Sequence, residues 1–153
     1  MKKSLLYALG GIVLITILGF GYYAISPLFK NIRLEEASPV FESIPRRVDT
    51  SNVKGTTGHP ASGHARIVMR EDGAYLLRYT NFKTINGPDL YVYLSKDLEA
   101  KEFINLGPLK ATEGNINYEI PADVGSDDYR YALVWCKAFG VLFNYADLLK
   151  VVN

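Results

Sequence analysis

The stretch that decides the fold is a run of strand-forming residues on either side of a glycine: Tyr131-Ala132-Leu133-Val134-Trp135-Cys136-Lys137-Ala138-Phe139-Gly140-Val141-Leu142-Phe143. It holds the only Trp and the only Cys of the 153-residue chain, side by side. Side chains of a strand alternate between the two faces of a sheet, so the run predicts two strands joined by a turn that contains Gly140. The same alternation puts Trp135 on one face. It puts Cys136 on the other face, at the end of a stripe of small residues that includes Ala132 and Val134.

This position leaves two interpretations of Cys136 open. At the end of a small-residue stripe, the thiol behaves as a small hydrophobic group of the core. Lys137 and the turn follow at once, however, and a thiol at a strand end within reach of solvent and a cation is a reactive one, because the cation favours the thiolate. The second interpretation predicts a partly accessible thiol that alkylates quickly in the folded protein.

The N-terminal segment predicts a membrane anchor. Lys2 and Lys3 precede residues 4–29, which contain no Asp, Glu, Lys, Arg or His. About 20 apolar helical residues cross the hydrocarbon core of a bilayer, so this segment is long enough to span one. A cleaved signal peptide has a shorter apolar region that ends in a small-residue exit site, and residues 19–26 offer only poor ones. We therefore predict an uncleaved signal anchor over residues 1–29.

Charge predicts the direction of this anchor. Basic residues favour the cytoplasmic side, so Lys2 and Lys3 predict a short cytoplasmic N-terminus, while Lys30 and Arg33 weaken that bias without reversing it. Aromatic side chains concentrate at membrane interfaces. Those expected at the outer interface are Tyr22, Tyr23 and Phe29. The rest of the chain is predicted to lie outside the cytoplasm, tethered to the cell membrane by a single pass.

Two regions follow the anchor. Residues 30–52 combine prolines with clustered charge and are predicted to form a juxtamembrane linker, although Leu34 leaves open that part of it packs on the folded domain. Residues 53–150 show short alternating segments separated by turn signals such as Glu71-Asp72-Gly73, and no long amphipathic helix. This pattern predicts an all-β domain, an antiparallel sandwich or a barrel, that folds without the anchor.

One strand of this domain is predicted to be covered on both faces. Asn86-Gly87-Pro88-Asp89 reads as a turn, and it leads into a segment in which aliphatic and aromatic residues alternate. The residues predicted to face the core are Leu90, Val92 and Leu94. Tyr91 and Tyr93 are predicted to form an outer layer.

Composition excludes several classes of function. The formal net charge is +1, which provides no basic surface for nucleic acid. A single Cys forms no internal disulfide. His59 and His64 are the only histidines, and a metal site needs three or four well-placed ligands, so no metal site is predicted. The chain has no glycine-rich phosphate loop, no nucleophile elbow and no Cys-x-x-Cys pair, which leaves hydrolysis by a familiar triad without support.

Several blocks of sequence, taken in order, resemble the DM-thirteen electron-transfer domain. They are Gly58-His59-Pro60-Ala61-Ser62-Gly63, Asn81-Phe82, Asn86-Gly87-Pro88-Asp89-Leu90-Tyr91-Val92-Tyr93-Leu94-Ser95, Leu106-Gly107-Pro108-Leu109-Lys110-Ala111-Thr112, Gly114-Asn115, Asn117-Tyr118 and Trp135-Cys136-Lys137-Ala138-Phe139. The Gly-Pro-Asp-Leu block and the Trp-Cys-Lys block carry the resemblance together, and it covers residues 53–150.

The resemblance implies a β-rich extracytoplasmic module, often tethered to a membrane. In such a module the cysteine that matches Cys136 carries out redox chemistry, either as a bare thiol or by holding a prosthetic group such as haem. In this interpretation Lys137 favours the thiolate, and Trp135 and Phe139 form an apolar wall that sets the redox potential and the access of water.

Two hypotheses about function therefore remain. In the first, the chain takes part in electron transfer or thiol redox chemistry with a redox protein at the cell surface. If a haem is bound through the cysteine, Met69 and His64 are the obvious candidates for a second axial ligand. In the second, the chain is a non-catalytic surface module that binds a protein or a glycan through exposed aromatic residues such as Tyr91 and Tyr93, and Cys136 belongs to the core.

Overall fold

The computed structural model describes residues 2–39, 51–70, 72–122 and 128–148. Helix α1 covers Lys2–Ile25, and a short 3-10 helix, Ser26–Phe29, follows it. The strands are β1 (Arg33–Glu35), β2 (Ser51–Asn52), β3 (Lys54–Gly55), β4 (Ala61–Met69), β5 (Tyr75–Thr84), β6 (Leu90–Ser95), β7 (Phe103–Pro108), β8 (Glu113–Glu119), β9 (Tyr131–Cys136) and β10 (Val141–Asp147). Residues 40–50 of the predicted linker lie outside the described residues.

The strands form two five-stranded sheets. The order is β1-β8-β5-β4-β2 in the first sheet and β3-β10-β9-β6-β7 in the second. Neighbouring strands are antiparallel except β1 and β8, which run parallel. The prediction of an all-β domain preceded by one helix is confirmed, and the domain is a sandwich of two sheets.

The core lies between the sheets because both turn an apolar face inward. In β6 the side chains of Leu90, Val92 and Leu94 all join the buried core, as their alternation predicted. In β9 the residues that do so are Ala132, Val134 and Cys136. Fully burying a Val or Leu side chain stabilises a fold by about 1.5–3 kcal/mol. Paired strands that present such residues in register therefore fix which face of the second sheet is inside.

The register of the strands defines two ends of the sandwich. At one end Ala61 pairs with Thr84, and a short connection leads from Thr84 to β6, whose first residue, Leu90, pairs with Cys136. We call this the thiol end. At the opposite end Met69 pairs with Tyr75. Since a strand rises about 3.3 Å per residue, the two ends of β4 are roughly 25 Å apart.

Helix α1 is apolar on all sides. Residues 3–29 form the one helical segment in the described chain that is long and apolar enough to cross a membrane, and none of that span is buried in the protein. A signal sequence near the N-terminus has the same length and composition. A helix that is apolar on all sides is typical of a membrane span or of the core of a large protein, and here most of its side chains are exposed.

The segment after the helix is bonded directly to the first sheet. Asn86 Nδ2 donates a hydrogen bond to the Lys30 carbonyl oxygen at 3.0 Å, and Thr112 N donates to the Ile32 carbonyl oxygen at 2.8 Å. β1 then pairs with β8, and Leu34 packs against the core. Within the predicted linker, residues 33–35 are thus an edge strand of the domain, in line with the packing that Leu34 left open.

The residues that follow β1 cover the outer face of the first sheet. Arg78 is buried there, and its Nη1 donates to Asn117 Oδ1 at 2.7 Å and to the Ala37 carbonyl oxygen at 3.0 Å. The Glu36 carboxylate accepts a hydrogen bond from Asn117 N and faces Lys110 Nζ at 3.3 Å. These bonds give the buried guanidinium partners at Nη1, while its Nε has none among the described residues.

Candidate functional site

The sulfur of Cys136 points into the core at the thiol end. The residue has 0% of its surface exposed. The thiol donates a hydrogen bond to the Pro88 carbonyl oxygen, with 2.9 Å between Sγ and O. The expectation of a partly accessible thiol at the strand end is therefore wrong for this conformation. Cys136 is the last residue of β9, but Leu90 of β6 and Val141 of β10 flank it on both sides and close the strand end.

A turn in the Gly-Pro-Asp block supplies the carbonyl group that meets the thiol. Asp89 has a φ of 59°, in the left-handed region that Asp tolerates better than most residues and that the third position of a type II turn requires. Pro88 precedes it at the position where proline is common in such turns. Lys137 N donates to the Asp89 carbonyl oxygen at 3.0 Å, which fastens the turn to the end of β9.

Gly87 makes room for an aromatic ring beside this turn. A Cβ atom built on Gly87 would lie 2.7 Å from Phe143 Cζ, so a larger residue here must displace the ring. The imidazole of His59 stacks on the same Phe143 ring, with 3.9 Å between ring centroids and 27° between planes. Thr56 Oγ1 lies 3.1 Å from His59 Nδ1 and holds the imidazole in place.

His59 thus belongs to the thiol end, a placement that the sequence reasoning missed. The signal was the run Thr56-Thr57-Gly58-His59-Pro60, in which Thr56 and His59 close a turn through an isolated bridge. Read alone, the His-Pro pair indicates only a turn. The stacking on Phe143 depends on a contact across about 84 positions of sequence, from β10, and no local pattern reveals it.

The three residues expected around the sulfur lie elsewhere. Trp135 precedes Cys136 in the strand and faces the outer side of the second sheet, where its ring is 6.5 Å from that of Tyr93. Lys137 is exposed, and its Nζ lies 5.2 Å from the centre of the Tyr91 ring. Phe139 is exposed at the tip of the β9–β10 hairpin. These side chains point away from the core that holds Sγ, so the expected apolar wall of Trp135 and Phe139 does not form around it.

The outer face of the second sheet carries a set of aromatic rings in contact. Tyr93 stacks on Phe103 with 4.1 Å between centroids, and its ring lies 6.4 Å from that of Tyr91. Burial, followed by the charges of Asp89 and Tyr91, raises the pKa of Tyr93 above its usual value. We call Tyr91, Tyr93, Phe103 and Trp135 the aromatic face. The predicted outer layer of Tyr91 and Tyr93 is part of it, but the expectation that Tyr93 is exposed is wrong, because only 4% of its surface is accessible.

The candidates for a second haem ligand do not meet Cys136. Met69 ends β4 at the opposite end of the sandwich. His64 precedes the core residue Ala65, so alternation directs it to the outer face of the first sheet. Three clefts of about 520, 350 and 220 Å³ in the described part of the chain are lined by residues other than Cys136. A haem bound through Cys136 does not fit this conformation, since the residue is fully buried, its thiol is hydrogen-bonded to Pro88, and it lines none of these clefts.

A two-sheet β-sandwich with a buried thiol at one end is the class of domain that these observations define. The model of the family Electron transfer DM13 matches residues 53–148, more than half of the chain, so the chain belongs to this family. The family that the sequence blocks resemble is thereby confirmed. With the membership comes a general role in electron transfer, which requires a redox partner. Comparison with curated proteins gave no match, and comparison with solved structures gave none either.

Proposed function

We propose that this chain is a single-pass membrane protein whose β domain lies outside the cytoplasm and exchanges electrons with a partner through Cys136. Helix α1 is the anchor, with Lys2 and Lys3 on the cytoplasmic side. Cys136 is the reactive atom, and the turn of Gly87, Pro88 and Asp89 controls access to it.

The observation that carries this proposal is the hydrogen bond from the Cys136 thiol to the Pro88 carbonyl oxygen, at 2.9 Å. It joins the two sequence blocks on which the family resemblance rests. A core cysteine that serves only packing needs no such partner, since a small apolar side chain would fill the same space. A gated thiol, by contrast, needs a defined acceptor in the closed state.

The chemistry available to a lone thiol is exchange with a disulfide of its partner. The Cys136 sulfur, as the thiolate, forms a bond to one sulfur of the partner's disulfide, whose S–S bond breaks. The other sulfur of the partner leaves as a thiolate and takes up the proton that the Cys136 thiol released. Electrons and atoms therefore balance without another oxidant. The Pro88 carbonyl accepts only from the protonated thiol, so the turn must move before the attack.

Trapping of the redox state in cells tests the proposal. Full-length protein in its native host is quenched in acid, unfolded and labelled with a mass-tagged maleimide, before and after reduction. We expect a fraction of Cys136 that reacts only after reduction, and a covalent partner that disappears in Cys136→Ser. Two results together would contradict the proposal. The first is a Cys136 thiol that stays fully reduced in both oxidising and reducing media, and the second is a Cys136→Ser variant that keeps the electron-transfer activity of the parent protein in the host.

Topology has a separate test. Protease added to intact cells or spheroplasts should digest the β domain and spare the anchor, because the domain lies outside. A domain that stays protected until the membrane is lysed would reverse the orientation. A chain recovered without residues 4–29 would identify the helix as a cleaved signal instead.

The second candidate function is binding of a protein or a glycan by the aromatic face, with Cys136 as a core residue. The partial exposure of Tyr91 and Trp135 favours it, since aromatic rings with polar tips are common in binding surfaces. Trp135→Leu discriminates the two functions. It should abolish partner binding if the aromatic face binds, and should leave mixed-disulfide formation by Cys136 intact if the thiol is the working group.

A further inference from the structure

The tip of the β9–β10 hairpin exposes two apolar side chains at the thiol end. Phe139 is 45% exposed and Val141 is 38% exposed. They flank Gly140, whose φ of 62° forms the turn. Lys137, which is also exposed, directly follows β9 and precedes Phe139 by two residues. An apolar tip with a cation behind it resembles the anchoring pattern of segments that sit at a membrane surface.

A short connection joins helix α1 to the thiol end of the sandwich. Between the 3-10 helix and β1 lie only residues 30–32, and they are fixed on both sides. The Lys30 carbonyl accepts from Asn86, and Ile32 N donates to Thr112 Oγ1 at 2.9 Å. A domain held this closely to a membrane-spanning helix has to keep one face near the bilayer.

A contact between helix α1 and the hairpin tip indicates how deep the tip would lie in a bilayer that α1 spans. The Phe139 ring meets the Phe20 ring edge-on, with 6.1 Å between centroids and 88° between planes. Tyr22 and Tyr23 mark the outer interface, as aromatic residues do at the ends of membrane spans. Phe20 lies two to three residues deeper, or about 3–5 Å at roughly 1.5 Å per residue. The side chain that touches it lies at the boundary between headgroups and acyl chains.

We propose that the hairpin tip, Phe139 to Val141, inserts into the outer leaflet of the bilayer that holds α1. This inference rests on the membrane anchor of the proposed function. Phe139 and Val141 enter the acyl boundary, and Lys137 meets the headgroup phosphates. The thiol end, with Cys136 behind the tip, then lies against the membrane surface. A redox partner of Cys136 therefore approaches in the plane of the membrane.

Quenching of tryptophan fluorescence by lipids brominated on their acyl chains tests the insertion. The full chain is reconstituted in vesicles in a Trp135→Phe background, which leaves no other Trp. Phe139→Trp reports on the tip. Tyr75→Trp is the matched control, because Tyr75 is also an exposed aromatic, at 42%, but lies at the opposite end of the sandwich. Side chains of interfacial segments insert about 5–10 Å, so the tip reporter should be quenched at least about twofold more than the control.

Equal quenching of the two reporters, in a chain that mass measurement shows to retain its anchor, would overturn this inference and leave the proposed function standing. A chain recovered without residues 4–29 would overturn both. If Phe139→Trp fails to give the β circular dichroism of the parent protein, Val141→Trp replaces it as the tip reporter, with the same expectation. None of these measurements depends on the redox state of Cys136.

Discussion

The Cys136 thiol and the Pro88 carbonyl oxygen, 48 positions apart in the sequence, form a hydrogen bond of 2.9 Å at one end of the β-sandwich. The acceptor belongs to a turn held in place by the left-handed conformation of Asp89 and by the bond from Lys137 N to the Asp89 carbonyl. Under the proposed function, the rate at which a partner or a reagent reaches the sulfur depends on how firmly this turn is closed.

Native Cys136 should react slowly with a thiol reagent. Because none of its surface is exposed, the folded protein has to open locally before the reagent reaches Sγ. We expect alkylation at neutral pH to be at least about 100-fold slower than in denaturant, which corresponds to an opening free energy of about 3 kcal/mol. The measurement is the rate of labelling followed by mass spectrometry. Labelling as fast in the native as in the denatured protein would show that the closed turn is not the resting state.

Two buried tyrosines of the core should respond in opposite ways to loss of their hydroxyl groups. Tyr79 OH has no hydrogen-bond partner among the described residues, whereas Tyr118 OH accepts from Lys110 N at 2.9 Å. Removing a buried hydroxyl that has no hydrogen-bond partner should stabilise the fold, so Tyr79→Phe should raise the free energy of unfolding by about 1 kcal/mol. Tyr118→Phe leaves a backbone donor unpaired and should lower it by about 1–3 kcal/mol. Urea titrations of both variants compare them directly.

Tyr79 and Tyr118 should also make the stability of the fold depend on pH. Burial raises the pKa of both Tyr79 and Tyr118 well above the usual value of 10.0. Below about pH 10 both phenols are neutral in the folded and unfolded chain and add no charge effect. Above it the unfolded chain releases protons that the folded chain retains, so stability falls as pH rises. Tyr79→Phe should flatten this alkaline decline. An unchanged slope would mean that the Tyr79 ring is not desolvated in solution.

Local pattern was enough to predict the all-β class of the domain and the inner face of β6. Alternation identified Leu90, Val92 and Leu94 as core residues, and the structure has them there. The same rule applied to β9 separates Trp135 from Cys136, since neighbours in a strand point to opposite faces. Grouping Trp135, Lys137 and Phe139 around the sulfur relied on adjacency in sequence, which a strand does not convert into adjacency in space.

The remaining features depend on contacts that no short pattern contains. β1 is three residues long and pairs with β8, about 80 positions later. The bond from Thr112 N to Ile32 likewise joins distant segments. At the thiol end His59 stacks on Phe143 of β10, which follows it by 84 positions. A run of three strand residues or a His-Pro pair is too common to indicate such contacts by itself.

Cutting the chain within the predicted linker should therefore matter for stability. A chain that begins at Lys30 retains β1, β2 and the bonds to Arg78 and Asn117, whereas one that begins at Val53 loses all of them. With net contributions of about 1 kcal/mol for each of three or more hydrogen bonds, the shorter chain should be less stable by about 3 kcal/mol or more. Glu36→Ala in the longer chain should cause part of this loss. Equal urea midpoints for the two chains would show that residues 30–52 act as a linker only.

The conformation of Asp89 offers a direct way to open the turn. A β-branched residue at a φ of 59° is strained, and left-handed conformations of non-glycine residues cost about 1–3 kcal/mol. Asp89→Val should therefore destabilise the closed turn and speed alkylation of Cys136 in the native protein by about tenfold or more, since each 1.4 kcal/mol corresponds to about a factor of ten.

Asp89→Gly is the matched control for this change. Glycine adopts the same positive φ without strain, so this variant should keep the slow alkylation of the parent while losing the same carboxylate as Asp89→Val. Both rates are measured by mass spectrometry in native conditions, with urea titrations to separate local from global opening. Fast labelling in both variants would assign the protection of Cys136 to the Asp89 carboxylate. Slow labelling in both would show that the sulfur is reached by another route, and the turn of Gly87, Pro88 and Asp89 would then not be its gate.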